Sequence, residues 1–124
     1  MERRKLDANE IETRLATMDG WSLDDGQIVK EFTFDTYKAG LVFSMAVGHF
    51  ADRMDHHPDI YIGYQKVEIA MNTHDLDGIS TYDIELARLI ETLVWRIASF
   101  LDFQLEFNSY FIGSRPWQAN FQVV

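Results

Sequence analysis

The chain has 124 residues, of which 47% are hydrophobic and 14% aromatic. This composition is typical of a globular protein, and the length suits one domain and is too short for two of ordinary size. The 20 acidic and 11 basic residues give a formal charge of −9, which opposes direct binding to a nucleic-acid backbone. No stretch is apolar for long enough to span a bilayer, and the lack of cysteine excludes disulfides, thiolate nucleophiles and thiolate metal ligands.

The first third of the chain predicts a helix followed by a β-hairpin. Asp7 and Glu10 have the spacing of a capping box, so a helix is expected to begin after Asp7. Asp25 and Gly26 suit the positive φ angles of a tight hairpin turn. The segments on either side of that turn, within residues 21–34, are therefore predicted to be two antiparallel strands.

A long helix is predicted next, capped by Asp35 or Thr36 and ending at about Asp55. Its apolar residues form one broad face, which contains Leu41, Val42, Phe43, Met45, Ala46, Val47 and Phe50. A face of this breadth indicates burial against a sheet and can also meet a partner.

The remaining predicted elements are a strand and a last helix. Residues 66–73 alternate between apolar and polar, as a half-buried strand does, and a short extended piece is possible at residues 60–64. Ser80 or Thr81 can cap the last helix. The apolar stripe of this helix consists of Leu86, Ile90, Leu93, Val94, Ile97 and Leu101. The order of elements predicts the α+β class, with an antiparallel sheet that has helices packed on one face.

His56, His57 and His74 are the candidate catalytic residues. Two neighbouring imidazoles and a third one downstream can supply an acid and a base near neutral pH, because a free imidazole titrates at about 6.5. Pro58 disfavours the helical region for His57, so the long helix should end at about the histidine pair. His74 lies just past the predicted strand, where loops commonly present functional groups.

The histidines belong to a spaced pattern that consists of Asp52, His56, His57, Pro58, Tyr64, His74 and Asp83. This pattern resembles the signature of the pterin-4a-carbinolamine dehydratases. Gly20 and Trp21, followed by residues 24–26, are similar to the hairpin that precedes the signature in that family. The resemblance covers roughly residues 6–101. It implies a single domain, with residues 103–124 as a C-terminal extension.

The resemblance implies a lyase that dehydrates 4a-hydroxytetrahydropterin to quinonoid dihydropterin in tetrahydrobiopterin recycling, with no metal or organic cofactor. His56, His57 and His74 would surround the hydroxyl-bearing carbon, and general acid–base help is typically worth about 10² to 10⁴ in rate. Which histidine is the acid and which is the base stays open. The residues implied to bind the substrate or to orient the histidines are Asp52, Asp55, Pro58, Tyr61, Tyr64 and Asp83.

One position departs from the family pattern. Two residues after the motif proline the family often has tryptophan, whereas this chain has Ile60 followed by Tyr61. Tyr61 or Tyr64 could replace an aromatic ring beside the pterin, or the preferred substrate could differ.

The pattern also has structural interpretations. The histidine pair could be a solvated helix end, where a charged imidazole complements the helix dipole. Asp52 and Asp83 could orient the histidines, because a carboxylate partner favours imidazolium, or they could be only helix-surface or capping residues. His49 lies outside the pattern and is expected to be a structural or surface residue. Trp21 and Tyr64 are expected in the core, since large aromatic residues dominate small cores.

Two alternatives to the dehydratase stay open at the level of the sequence. The three motif histidines with Asp52 or Asp55 could in principle hold a catalytic zinc. However, neighbouring histidines rarely bind one ion, and no two histidines lie four residues apart. The alternative from another class is a non-catalytic binding, dimerisation or assembly module on the same fold. The intact histidines favour the enzyme, whereas Ile60 and the C-terminal extension favour divergence.

The resemblance also bears on partners and location. It implies a homodimer or homotetramer formed through helix and sheet-edge contacts, and the broad apolar face of the long helix agrees. The expected small-molecule partner is a pterin, with no direct nucleic-acid partner and no membrane. The basic residues near the N-terminus are not followed by an apolar run, so we expect no secretory signal and a cytoplasmic protein.

The C-terminal extension, residues 103–124, carries too many aromatic residues for a disordered tail. We predict that it docks over the candidate site or at a subunit interface. A deletion that ends the chain at Leu101 should therefore lower assembly, stability or activity, as measured by sedimentation, thermal unfolding and turnover. A shortened protein that matches the full chain in all three measurements would contradict this prediction.

Overall fold

The computed structural model describes residues 1–94. Its elements are, in chain order, α1 at Ala8–Leu15, β1 at Ser22–Asp24, β2 at Gln27–Thr33, α2 at Tyr37–Met54, β3 at Asp59–Gly63 and β4 at Lys66–Met71. A short 3-10 helix at His74–Leu76 follows, and α3 is helical from residue 81 through residue 94. The predicted order and the α+β class are confirmed. Ile97, Leu101 and the C-terminal extension lie outside the described residues.

The four strands form one antiparallel sheet in the order β1-β2-β4-β3. β4 pairs with both of its neighbours, so that Val67 lies opposite Phe32 on one side and Ile62 on the other. Because side chains alternate along a strand, one face of the sheet collects the buried residues Ile28, Phe32, Val67, Ile69 and Met71. Side chains of α2 and α3 pack on the same cluster, so the helices cover this face as predicted.

Phe43 of α2 is the centre of the core and has no exposed surface. The centroid of its ring lies 4.8 Å from that of Phe32 and 5.1 Å from that of Phe34, within the range of favourable aromatic pairs. Trp21 is buried, as predicted. Its Nε1 donates a hydrogen bond to Glu91 Oε1 over 2.8 Å, which joins the segment before β1 to α3.

The two ends of α2 follow from their capping residues. Thr36 Oγ1 accepts a hydrogen bond from the Ala39 amide over 3.1 Å, as an N-cap does. At the other end Asp55 is left-handed, with a φ of 49°, a conformation that Asp tolerates better than most residues. The chain therefore leaves the helix just before the histidine pair, as predicted. Neither α2 nor any other helix in residues 1–94 is long and apolar enough to cross a membrane.

The two hairpin turns differ in how well the sequence predicted them. The β1–β2 turn has φ angles of 49° at Asp25 and 76° at Gly26, the two positive values that a type I′ turn requires. The β3–β4 turn carries Tyr64, whose side chain is 75% exposed. The prediction that Tyr64 lies in the core is therefore wrong. Tyr64 is at the tip of the hairpin beside Gln65, which has a φ of 80°, and not on the buried face of the sheet.

Helix α1 begins with the predicted capping box. The Glu10 amide donates to Asp7 Oδ1 over 2.8 Å, and the Asp7 amide donates to Glu10 Oε1 over 3.3 Å. The Arg4 guanidinium adds two hydrogen bonds to the Glu10 carboxylate, at 3.0 and 2.7 Å. These contacts lower the pKa of Glu10 from 4.5 to about 2, chiefly through Arg4 and then through the Asp7 amide.

We expect the Glu10→Gln variant to lose part of the acid sensitivity of folding. Because the pKa is depressed in the folded state, charged Glu10 stabilises the fold above about pH 4.5, and this contribution is lost as the pH falls towards about 2. The free energy of unfolding, measured by urea titration over this range, should change less steeply with pH in the variant. The difference should shrink in about 1 M salt, where the Debye length is about 3 Å.

Glu12→Gln is the matched control, because Glu12 is an exposed glutamate on the same helix. The control should keep the pH dependence of the natural protein. Equal pH dependence in the natural protein and in Glu10→Gln would contradict the stabilising role of the Arg4 contact.

Candidate active site

The histidine pair lies in the turn between α2 and β3, where the two imidazoles have different surroundings. His56 is only 7% exposed, and its amide donates to the Ala51 carbonyl over 3.0 Å, which holds it against the end of α2. The side chain of His57 is 56% exposed. The turn therefore presents one buried and one accessible imidazole side by side.

The buried histidine contacts a buried carboxylate. His56 Nε2 lies 2.6 Å from Asp83 Oδ1, and Asp83, in the first turn of α3, has no exposed surface. The ring of Tyr82 packs edge-on against the imidazole, with 6.0 Å between the two centroids. Because both partners are shielded from water, this hydrogen bond is electrostatically stronger than an exposed one. It fixes the orientation of the His56 ring.

Two hydroxyl residues complete the surroundings of Asp83. Its Oδ2 accepts hydrogen bonds from Thr73 Oγ1 over 2.7 Å and from the Ser80 amide over 2.8 Å. The hydroxyl oxygens of Thr73 and Ser80 are themselves 2.6 Å apart. Both oxygens of the carboxylate are therefore bonded, and in the described part of the chain no buried side-chain nitrogen or oxygen lacks a partner.

His57 contacts a carboxylate of its own. Its Nε2 lies 2.9 Å from Oδ1 of Asp52, which is in the last turn of α2. Both side chains are exposed, and an exposed ion pair contributes at most about 1 kcal/mol to stability. Asp52 can therefore orient His57 while adding little to the stability of the fold.

His74 begins the 3-10 helix that follows β4, and it is exposed. Its neighbour Asp75 accepts hydrogen bonds from the Arg3 guanidinium, one of which is 2.8 Å long. Arg3 lowers the pKa of the Asp75 carboxyl, and His56 acts in the same direction to a smaller extent. The Arg3 contact thus joins the 3-10 helix that carries His74 to the N-terminal segment.

Thr73, Ser80 and Arg3 belong to this site although the sequence analysis did not assign them to it. For Ser80 a signal was present, because its spacing to Asp83 is that of a capping box. Thr73 and Arg3 offered no such signal. Thr73 contacts Asp83 across 10 residues of sequence, and Arg3 contacts its carboxylate partner across 72, so only the fold brings these groups together.

The other residues implied by the family resemblance lie in different places. Asp55 forms the C-cap of α2, and Pro58 is half-buried between the histidine pair and β3. Tyr61 is exposed, and its register puts it on the face of the sheet away from the helices. Tyr64 lies in the turn after β3, and β3 extends about 13 Å from Asp59 to Gly63. The structure does not bring Tyr61 or Tyr64 to the histidines within one protomer, because strand register and direction carry them away.

The titratable groups of the site form two separate histidine–carboxylate pairs. Within residues 1–94 no three His, Asp or Glu side chains are grouped closely enough to hold a metal ion. The two histidine–carboxylate contacts instead pair one imidazole with one carboxylate each. In each pair the carboxylate can orient the ring of its histidine. Imidazole side chains commonly serve as general acids and bases in catalysis.

Comparison with known proteins points to one family. The family model described as pterin 4 alpha carbinolamine dehydratase matches residues 4–93. A protein of Sulfurisphaera tokodaii is 43% identical over 91 residues, covering 73% of this chain and 98% of the relative. A protein of Paracidovorax citrulli is 42% identical over 96 residues, covering 74% of this chain and 83% of the relative. Both carry the name "Putative pterin-4-alpha-carbinolamine dehydratase".

A solved structure has the same fold. It is the crystal structure of a protein from Brucella melitensis described as a transcriptional coactivator/pterin dehydratase, with a TM-score of 0.69 and 27% sequence identity. The superposition covers 72% of this chain and 97% of the Brucella chain. The sheet and helices described above therefore form the fold of that protein.

Proposed function

This chain belongs to the pterin-4a-carbinolamine dehydratase family, and on that premise we propose that it dehydrates 4a-hydroxytetrahydropterin to quinonoid dihydropterin. In this proposal the reaction serves the recycling of tetrahydrobiopterin. His56, His57 and His74 are the catalytic residues, and Asp52 and Asp83 orient the first two through the contacts described above.

The chemistry asks for one acid and one base. The elimination breaks the bond between C4a and its hydroxyl oxygen and forms a double bond between C4a and N5. A protonated imidazole donates to the departing hydroxyl, which leaves as water, and a neutral imidazole takes the proton from N5. One proton is given and one is taken, so general acid–base catalysis by two histidines is sufficient.

The observation that supports this proposal most is the 2.6 Å contact between His56 Nε2 and Asp83 Oδ1. Burying an imidazole and a carboxylate together carries a desolvation penalty, and an apolar pair of similar volume is often as stable. Such a pair beside a second, accessible imidazole therefore suits proton transfer better than it suits packing. A titratable group with a specific charge partner is a candidate for a functional site.

A non-catalytic interaction module is the second candidate, and the surface of α2 favours it. An exposed apolar stripe, which we call the α2 stripe, consists of Tyr37, Leu41, Val42 and Met45. Neighbouring exposed apolar residues of this kind commonly mark a protein interaction site. The Brucella melitensis protein is described as a transcriptional coactivator as well as a dehydratase. On this alternative the α2 stripe of the present chain would be its working surface.

Self-association is proposed under both candidates. The α2 stripe would contact a second copy of the chain in a homodimer or homotetramer. Met45 is 80% exposed in the protomer, and full burial of a methionine contributes about 1.5 to 3 kcal/mol. A contact that covers the stripe therefore provides a driving force for assembly.

We predict that the natural protein accelerates the dehydration, followed by absorbance, and that His57→Ala lowers kcat about 10²-fold or more, the lower end of general acid–base help. His74→Ala should act in the same way. Both side chains are exposed, so these variants should keep the fold. His56→Ala is a less clean test, because it leaves Asp83 buried without its partner, a change that costs about 3 to 5 kcal/mol of stability.

His49→Ala is the matched control, since His49 is an exposed histidine on α2 outside the motif. It should retain the activity of the natural protein. Folded protein without any acceleration would refute the dehydratase and favour the interaction module. Full activity in His57→Ala and His74→Ala would refute the assignment of the site.

The α2 stripe gives a separate prediction about assembly. Met45→Asp should shift the protein towards the monomer at micromolar concentration, because a carboxylate in an apolar contact loses its hydration. Met45→Leu keeps the apolar surface and should assemble like the natural protein. Sedimentation equilibrium measures both masses, and a natural protein that is already monomeric would contradict the proposed interface.

A further inference from the structure

We propose that Thr73 and Ser80 are positioning residues that hold the Asp83 carboxylate in place and thereby fix His56 as the tautomer protonated at Nε2, with Nδ1 left for proton transfer. The structural part of this inference stands on the hydrogen-bond geometry. Only its consequence for turnover rests on the proposed function.

The direction of each hydrogen bond follows from counting donors. The Ser80 amide can only donate, so Asp83 Oδ2 accepts from it over 2.8 Å. The Thr73 hydroxyl donates its single hydrogen to the same oxygen over 2.7 Å. Ser80 Oγ must therefore donate to Thr73 Oγ1 across the 2.6 Å that separates them. The Tyr82 amide in turn donates to Ser80 Oγ over 3.2 Å. In this arrangement each hydroxyl hydrogen has one acceptor.

The same count decides the tautomer of His56. An ionised carboxylate can only accept hydrogen bonds, as Asp83 Oδ2 does from Thr73 and Ser80. The 2.6 Å contact at Asp83 Oδ1 therefore requires a hydrogen on His56 Nε2. In a neutral imidazole the other nitrogen, Nδ1, is then unprotonated. It is the nitrogen of His56 that can exchange a proton with a ligand.

Burial makes this arrangement rigid. Thr73, Ser80 and Asp83 are all buried, so water cannot replace a lost donor without a rearrangement. Thr73 is also fixed through its backbone, since its amide donates to the Gly78 carbonyl over 2.7 Å. This bond closes the loop that carries His74. Thr73 therefore acts on both histidines. Its hydroxyl holds the carboxylate that orients His56, and its amide closes the loop that carries His74.

The test compares Thr73→Val, which removes the hydroxyl at nearly constant volume, with Thr73→Ser, which keeps it. Long-range ¹H–¹⁵N NMR at about pH 9, well above the ordinary imidazole pKa of about 6.5, reports which ring nitrogen of His56 is protonated. We expect a protected Nε2–H in the natural protein and in Thr73→Ser. In Thr73→Val the Asp83 carboxylate loses one donor and is held less firmly. The Nε2–H resonance of His56 should therefore broaden, and the Nδ1–H tautomer should appear.

Turnover provides the second reading. In Thr73→Val we expect kcat to fall about tenfold with little change in KM. This loss is a fraction of the rate acceleration of about 10² to 10⁴ that general acid–base catalysis supplies. Thr73→Ser should restore most of it. Ser80→Ala removes the donor to Thr73 Oγ1 and also the acceptor of the Tyr82 amide. It should change the His56 tautomer and kcat in the same direction as Thr73→Val and to a smaller extent.

Thr92→Val is the matched control, because Thr92 is an exposed threonine of α3 whose hydroxyl donates to the Leu89 carbonyl over 2.7 Å, away from the site. This variant should leave the His56 tautomer and kcat unchanged. A natural protein with His56 protonated at Nδ1 would overturn the proposal, as would identical behaviour of Thr73→Val and Thr73→Ser. If the natural protein does not turn over the pterin, the proposed function falls, and the NMR comparison still decides the role of Thr73.

Discussion

The buried carboxylate of Asp83 is the group on which the rest of the candidate site depends. A carboxylate without exposed surface is tolerated only when its oxygens are paired, and two of its three partners here come from segments other than the start of α3. His56 lies after α2, Thr73 after β4, and Ser80 just before α3. The Asp83 side chain thus joins the start of α3 to the residues that follow α2 and β4.

The fold explains why these three segments can meet. β4 is an inner strand paired on both sides, so the position of its end, and hence of Thr73, is set by two registers at once. α2 and α3 pack on the same apolar face through residues such as Phe43 and Ile90. The end of one helix and the start of the other are therefore fixed relative to the sheet by the core, and the polar contacts need only small adjustments.

The features that could be predicted from the sequence are those that depend on residues close together in the chain. Pro58 indicated where α2 ends, and Asp7 indicated where α1 begins, because each acts through backbone atoms a few residues away. The prediction that Tyr64 is buried was wrong because it relied on residue type. A large aromatic ring is typical of a core, but Tyr64 lies at an exposed hairpin tip. Thr73 and Arg3 were not assigned to the site because their contacts depend on packing between distant segments. Local chemistry thus predicted the elements and the paired histidines, and tertiary packing decided which polar groups surround them.

The pairing of the N-terminal segment has a consequence for the order of folding. Arg3 contacts a carboxylate 72 residues later in the chain, and the Leu6 amide donates to the Ile79 carbonyl over 2.8 Å. Closing so long a loop costs chain entropy before the contacts form. During synthesis Arg3 and Leu6 therefore lack these partners until most of the described domain has left the ribosome. A chain that stops short of α3 also lacks the Asp83 carboxylate that pairs with His56.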